Sequence, residues 1–517
     1  MRCGWHWAAT VFLVGSAALP STARATADDL VVETRSGAIR GVATSRAREW
    51  RGIPYIAPPV GGLRWRPPEP VENWSGVRDA SEFTERCPQF GPDGITGDED
   101  CVYLNVFAPA SPAAQPLPVM VHLHGGNNSG FWAYRDASAL VEHGVIVVTV
   151  EYRLGVFGFV GHRALSAESG GHSGEYGMLD QVAALRWVHD NIAAFGGDAG
   201  NVTLFGESAG SFDAAALIVS PLSRDLVQRA ALQTESLWAL LGLGTIAEGE
   251  EIGAEIASAV GCSEQPDPVG CLRLTPADDL VDAGGGLDLS PRTGGVVLPA
   301  APIELMEETP VTIPLLIGSN REEAAFFFEE VFSGEPYPTE FYMRDTDEIA
   351  GSALGDQVRA LYPAEEYDSE LWAAVAAFTD AIYTCPMRRL GLAAGGPVWR
   401  YLYSHHLDND PFLAGLRAAH FLDEPLLWGN PELLEGFDAA DYEFTQRDAA
   451  LSATMATYWT NFARSGDPNG DDVPAWPAFD ATGELVQVLD EPITTIDHWR
   501  TEACELFDTM TEPFPPS

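Results

Sequence analysis

Residues 202–210 read Val-Thr-Leu-Phe-Gly-Glu-Ser-Ala-Gly. An apolar, β-branched run ends in Gly206-Glu207-Ser208-Ala209-Gly210, and the small residues of Ala214-Ala215-Ala216-Leu217 then open a helix. A Gly-x-Ser-x-Gly between strand and helix strains the serine backbone and lifts its Oγ clear of the sheet. The flanking glycines let the two elements pass closely. The chemistry this permits is nucleophilic attack by a serine hydroxyl. On its own the motif is as compatible with a plain turn; the strand before it and the helix after it favour the nucleophile.

An alcohol is a poor nucleophile at neutral pH, so Ser208 needs a base to take its proton and an acid to orient that base. For a serine in this setting the chain order is Ser, then Asp or Glu, then His. Of eleven histidines, His405, His406, His420 and His498 follow a suitable acid. The acid belongs on a loop just after a core strand. Glu322 and Glu323 stand there, directly after Thr312–Ile317, although an exposed acidic pair is the competing explanation. Spacing alone does not choose between His405 and His420. A developing oxyanion also needs N–H donors. One comes from Ala209, after the nucleophile, and others from a Gly-rich loop after an early strand, where His124-Gly125-Gly126 places Gly126 and Asn127.

The elements that must position these groups are legible in outline. Leu30 to Val42 alternates around Ser36-Gly37 and predicts an N-terminal hairpin. Trp50–Tyr55 leads into a Pro-rich arm. Val102–Phe107, Pro118–Leu123 and Val145–Val150 predict strands, the last with almost no polar break. Leu179, Val182, Leu185, Val188 and Ile192 share one face of a helix that Gly196-Gly197 ends. Ala247–Pro299 is acidic and Gly-rich, predicting surface helical hairpins and loops. Strands at Thr312–Ile317 and Pro397–Tyr403 and a helix at Thr445–Ala463 follow. Continuously apolar strands separated by helices predict an α/β protein with a large, mostly parallel sheet covered on both faces. No internal repeat or linker divides it, so one domain is expected over residues 26–517.

Residues 1–25 read as an export signal: Arg2, an apolar Ala8–Leu19, and small residues at Ala23-Arg24-Ala25 or Ala25-Thr26-Ala27. The apolar run is short for a membrane span. Seventy-five acids against 29 bases give a net charge of −46, and every base is arginine. Such a surface repels nucleic acid and anionic lipid. It keeps an exported protein soluble, and adaptation to a salty habitat is a sharper expectation. Cys3 leaves with the signal, and Cys87, Cys101, Cys262, Cys271, Cys385 and Cys504 remain. An even number in a secreted or periplasmic protein predicts disulfides. Cys87–Cys101 and Cys262–Cys271 are favoured as short loops, which leaves Cys385–Cys504. No Cys-x-x-Cys spacing supports zinc.

Further motifs tie the chain to a known family. Gly52-Ile53-Pro54-Tyr55 with Leu63-Arg64-Trp65, and Glu99-Asp100-Cys101-Val102-Tyr103-Leu104-Asn105-Val106, are two of them. Tyr152-Arg153-Leu154-Gly155, Phe195-Gly196-Gly197-Asp198 and Gly466-Asp467-Pro468-Asn469 with Trp476-Pro477 are others. Together they resemble the type-B carboxylesterases, the family of the cholinesterases and bacterial esterases, over nearly all of the chain beyond the signal. The resemblance implies an α/β-hydrolase fold and a serine esterase that needs no metal or cofactor. It puts the nucleophile on Ser208, the acid on Glu323, the base on His420 and the oxyanion donors on Gly126, Asn127 and Ala209. It agrees with all three cysteine pairings. The implied reaction is hydrolysis of a small-molecule carboxylic ester through an acyl-enzyme. A lipase acting on longer acyl esters and a non-catalytic adhesion member are the alternatives.

The chain departs from the family pattern in places. Asn127 replaces a small residue, and the loop to Gly130 is one residue short. Ala324 replaces a Gly after the acid, Thr234-Glu235 a Ser-Gly pair, and Glu175 an Asn. The Cys87–Cys101 loop holds no Trp, which argues against a choline ester. Phe131, Trp132 and Trp238 are candidate pocket walls.

Overall fold

The computed structural model describes residues 30–509 apart from 93, 132, 235–242, 351, 438 and 440. The expected export signal at residues 1–25 and the pocket candidates Trp132 and Trp238 therefore lie outside the described residues.

The sheet that carries the site has eleven strands. In chain order they are β1 (Val42–Ala43), β2 (Ala47–Pro54), β3 (Tyr103–Pro109), β4 (Leu117–Leu123), β5 (Ile146–Val150), β6 (Gly197–Glu207), β7 (Arg229–Gln233), β8 (Leu315–Asn320), β9 (Val398–Tyr403), β10 (Val486–Leu489) and β11 (Thr494–Ile496). Their spatial order is β11-β10-β9-β8-β7-β6-β4-β5-β3-β2-β1. Every neighbour pair from β5 to β10 is parallel. The outer pairs are antiparallel. The predicted α/β class with a mostly parallel sheet is what the chain forms. The N-terminal hairpin also forms, as Val31–Thr34 against Gly37–Arg40.

Alternation along the strands sends side chains to opposite faces. Val119, Val121, Val148 and Leu204 enter one core, and Met120, Val147 and Phe205 enter the other. Helices α1 (Tyr176–Asn191) and α2 (Ala209–Val219) cover the first face with Val182, Leu185, Val188 and Leu217. Helix α3 (Gln446–Ser465) covers the second with Leu451, Met455, Trp459 and Phe462. A Thr445–Asp448 capping box starts α3, and Gly466 at φ 80° ends it.

The chain places β5 on one side of β4 and β6 on the other. This reversal opens a crevice beyond the carboxyl ends of β4 and β6, the usual place for a ligand in such sheets. β4 leads into the Gly125-Gly126 loop and β6 into Ser208, so both groups arrive at one point.

Three boundaries differ from the sequence expectation. The strand expected at Thr312–Ile317 runs Leu315–Asn320. Pro314 has no N–H for the ladder, and pairing with both β7 and β9 extends the strand toward Glu323. Trp50–Pro54, expected to lead into a Pro-rich arm, is the second half of β2. The acidic middle forms helices Ile246–Ala259, Pro268–Leu274 and Ala277–Gly284, and it buries Ile256, Leu272 and Leu280 in the first core. Cys87–Cys101, Cys262–Cys271 and Cys385–Cys504 are disulfide-bonded, with Cα–Cα distances of 5.0, 5.6 and 4.9 Å.

Candidate active site

Ser208 sits between β6 and α2 at φ 54°, ψ −127°, a conformation L-residues seldom adopt. The neighbouring glycines make it possible. A Cβ on Gly206 would strike the Gly210 backbone, and one on Gly210 would strike the Leu123 carbonyl. The strained turn points Oγ to the crevice. The Ser208 N–H donates to the Gln233 carbonyl on β7 at 3.1 Å, which anchors it.

His420 Nε2 lies 2.9 Å from Ser208 Oγ. Its Nδ1 lies 2.7 Å from Glu323 Oε2. Three side chains spread over a stretch of more than two hundred residues thus form one hydrogen-bonded line. Glu323 is fully buried. Its other oxygen accepts from Thr234 Oγ1 at 2.7 Å and from the Asn320 N–H. With both oxygens engaged, the carboxylate is fixed in one orientation. Glu322, the competing acid, turns away and accepts from the Ala418 N–H at 3.3 Å.

A second acid, Glu207, stands 3.3 Å from His420 Nε2. Burial pushes its carboxyl well above the usual range, opposed by His420 and reinforced by Glu424, Asp423 and Glu323. Burial alone would lower the imidazole. The Glu207 charge and the bond to Glu323 override it and raise His420 to about 9. Below them Asp423 accepts from Gln233 Nε2 at 2.8 Å and Asn320 Nδ2 at 3.2 Å.

The loop after β4 passes over Ser208: a Cβ on Gly125 would come within 3.1 Å of Ser208 Cβ. Gly126, Asn127 and Asn128 all have positive φ, at 90°, 54° and 53°. This run of left-handed residues turns the loop back on itself, with the Ser129 and Gly130 N–H groups both donating to the Gly126 carbonyl at 3.0 Å. Phe326 and Phe327 from the turn after Glu323, with Tyr383, set their rings 5.5–6.0 Å from the imidazole. Phe131 meets Phe421, next to His420, edge-on at 5.4 Å.

His405 was an open choice on spacing. It is buried behind β9, with Nδ1 2.8 Å from Asp490 and Nε2 2.7 Å from Asp448. Both ring nitrogens are occupied by carboxylates, and neither faces Ser208. Sequence reasoning does not single out Glu207, Asn320, Gln233 or Asp423 as parts of the site, and it marks Thr234 only as a departure from the family pattern. Glu207 carries a signal, being inside the serine motif. Gln233, Thr234 and Asn320 come from strand ends, and Asp423 from the start of the helix Glu424–Trp428, and only the tertiary structure brings them together. Glu175, one of the family departures, accepts from the Val296 and Val297 N–H groups at 2.9 and 2.8 Å, pinning that loop to the start of α1.

An elbow serine facing an imidazole that a buried carboxylate orients, at the switch point of a mostly parallel sheet, defines a serine hydrolase of the α/β-hydrolase fold. Residues 28–507 match the model of the Carboxylesterase family. The para-nitrobenzyl esterase of Bacillus subtilis (strain 168) is 34% identical over 492 residues, covering 90% of this chain and 95% of that one. The fumonisin B1 esterase of Sphingopyxis macrogoltabida is also 34% identical, covering 92% and 90%. A solved PNB esterase superposes with a TM-score of 0.79 at 32% identity, covering 93% of this chain and 100% of that structure. The chain belongs to the carboxylesterase family and is a carboxylic ester hydrolase.

Proposed function

We propose that Ser208, His420 and Glu323 are the nucleophile, base and orienting acid of ester hydrolysis, carried by the hydrogen-bonded line of 2.7 and 2.9 Å that ends on the strained serine. His420 takes the Ser208 proton as Oγ attacks the ester carbonyl. The carbonyl oxygen gains negative charge and is received by the N–H groups of Gly126, Asn127 and Ala209. His420 returns the proton to the departing alcohol. Water, deprotonated by the same imidazole, then releases the acid from Ser208. Glu323 holds the tautomer with Nε2 free to accept and stabilises the imidazolium. No step requires a metal or cofactor.

The rings of Phe326, Phe327 and Tyr383 around the imidazole favour an uncharged ester with an apolar or aryl group. Phe326 and Phe327 are 38% and 59% exposed, so they are available to a substrate. Three disulfides fit an oxidising compartment and, with the leader-like residues 1–25, support a secreted or periplasmic enzyme built as one catalytic domain. Among the described residues no helix is long and apolar enough to cross a membrane.

A nitrophenyl ester panel varied in acyl length, run in dilute buffer and in molar salt, tests the activity and the salt expectation together. Stoichiometric attachment of a fluorophosphonate to Ser208 is the expected companion result. Labelling at another residue, or hydrolysis that survives the loss of Ser208, refutes the assignment. An adhesion role without chemistry predicts neither labelling nor turnover.

A further inference from the structure

The oxyanion donors come from two separate elements: Gly126 and Asn127 from the loop after β4, and Ala209 from the start of α2. Their spacing decides whether both reach one oxygen. The loop is also short and lacks a glycine at Asn127, so something must hold it. Asn127 points to solvent, whereas Asn128 is 2% exposed. Its Nδ2 donates to Asp213 Oδ1 at 3.2 Å, and its Oδ1 accepts from the Tyr152 hydroxyl at 3.3 Å. Its backbone carbonyl accepts from the Gly155 N–H at 2.6 Å. Tyr152 spans the loop base, its one hydroxyl proton shared between the Asn128 amide oxygen and the nearer His124 carbonyl at 2.7 Å.

Asp213 is the far end of this tie. It lies four residues after Ala209 on α2, so the two share one helix face a turn apart. It is fully buried, and its second oxygen accepts from Gln181 Nε2 on α1. The mechanism uses neither Asn128 nor Asp213, yet a carboxyl inside an apolar helix packing has a cost unless its bonds serve the fold or the site.

We propose that Asn128 and Asp213 are positioning residues that lock the oxyanion loop to the nucleophile helix, setting the spacing between the Gly126–Asn127 and Ala209 donors. This rests on the donor assignment above. Losing the tie leaves Ser208, His420 and Glu323 untouched but lets the two donor sets drift apart. Burial raises the Asp213 carboxyl to about 7, opposed by the Gln181 and Asn128 amides. A neutral acceptor can therefore replace it at little loss. In Asp213→Asn the carbonyl still accepts from Asn128. The new amide meets Gln181, whose unpartnered Oε1 becomes its acceptor once that side chain rotates.

Asn128→Gly is the main variant, because glycine keeps the positive φ and removes only the amide. Fluorophosphonate labelling of Ser208 in the wild type first checks the underlying assignment. The expected result is a kcat for nitrophenyl acetate about 10- to 100-fold lower in Asn128→Gly and in Asp213→Ala, at nearly constant KM, as a misplaced donor acts only in the transition state. The double variant falls no further than the worse single one. Asp213→Asn keeps kcat within about threefold of wild type. Affinity for a trifluoromethyl ketone, whose adduct carries the oxyanion, drops in step with kcat. Wild-type kcat in Asn128→Gly, multiplicative losses in the double variant, or equal losses in Asp213→Asn and Asp213→Ala each overturn the tie while leaving the labelled nucleophile intact. If Asn128→Gly does not fold, the two Asp213 variants decide the matter.

Discussion

His405 and His420 are both buried, and both have Nδ1 on a carboxylate, at 2.8 and 2.7 Å. Burial lowers each imidazole. Asp448 and Asp490 then raise His405 to about 9, and Glu207 and Glu323 raise His420 to about the same value. The difference lies at Nε2. In His405 it meets a second carboxylate, Asp448, which the α3 cap and the Tyr442 hydroxyl hold in place. In His420 it meets the hydroxyl of Ser208 at 2.9 Å, with the Glu207 carboxyl farther off at 3.3 Å. The first ring is a clamp between β9, α3 and the turn after β10. The second can pass a proton. A raised imidazole is therefore no mark of catalysis until the partner of its second nitrogen is known.

The comparison can be broken from the His420 side with the largest effect. Ser208→Ala removes the proton donor and should lower kcat by about a millionfold, since such a constellation acts as a unit; a pre-steady-state burst with nitrophenyl acetate should vanish with it. Glu323→Gln keeps the shape but not the charge that stabilises the imidazolium. A loss of about 10⁴ in kcat is expected, with folding retained by near-UV circular dichroism.

A subtler change sharpens the contrast. Glu207→Gln removes the ionisable carboxyl that helps raise His420, so the acid limb of kcat/KM should move down by about one pH unit. Turnover below that limb should rise accordingly, because more imidazole is neutral. An unmoved limb means that Glu323 alone sets the imidazole.

His405→Ala should leave kcat within about twofold and reduce stability by about 3 kcal/mol, because buried Asp448 loses its counterion. The pH dependence follows from the signs. His405 is raised to about 9 in the fold from an ordinary value near 6.5. Its contribution is complete below about 6.5 and fades as pH climbs through about 9. Asp448 is opposed by burial but held down to about 2 by His405 and the α3 cap. Its share is present above about 3.8 and fades as pH falls through about 2. The wild-type thermal midpoint minus that of His405→Ala should be widest from about pH 4 to 6.5 and close above about 9. A constant difference across that range is the contrary result.

Residues local in sequence announced themselves. The strand before Ser208, the helix after it and the glycines that strain it lie within a dozen residues, where sterics and periodicity act directly. The Leu179–Ile192 helix and the Val145–Val150 strand were legible for the same reason. The family pattern added Glu323 and His420, which spacing had left beside Glu322 and His405. Asn320, Gln233, Asp423 and the Asn128–Asp213 contact were silent, because each is an ordinary polar residue until two distant strands or helices are set side by side.

The amino-acid sequence by itself pointed to Ser208 as the candidate nucleophile, to an acid and then a histidine after it, to the parallel α/β class and to the short-range disulfide loops, because these follow from backbone propensities and near-neighbour contacts. Only the tertiary structure decided which oxygen of Glu323 the His420 imidazole uses, what occupies both nitrogens of His405, and how the loop after β4 is held. Those outcomes depend on the order of strands in the sheet, and hydrogen bonds of 3 Å are sensitive to displacements that no linear spacing records.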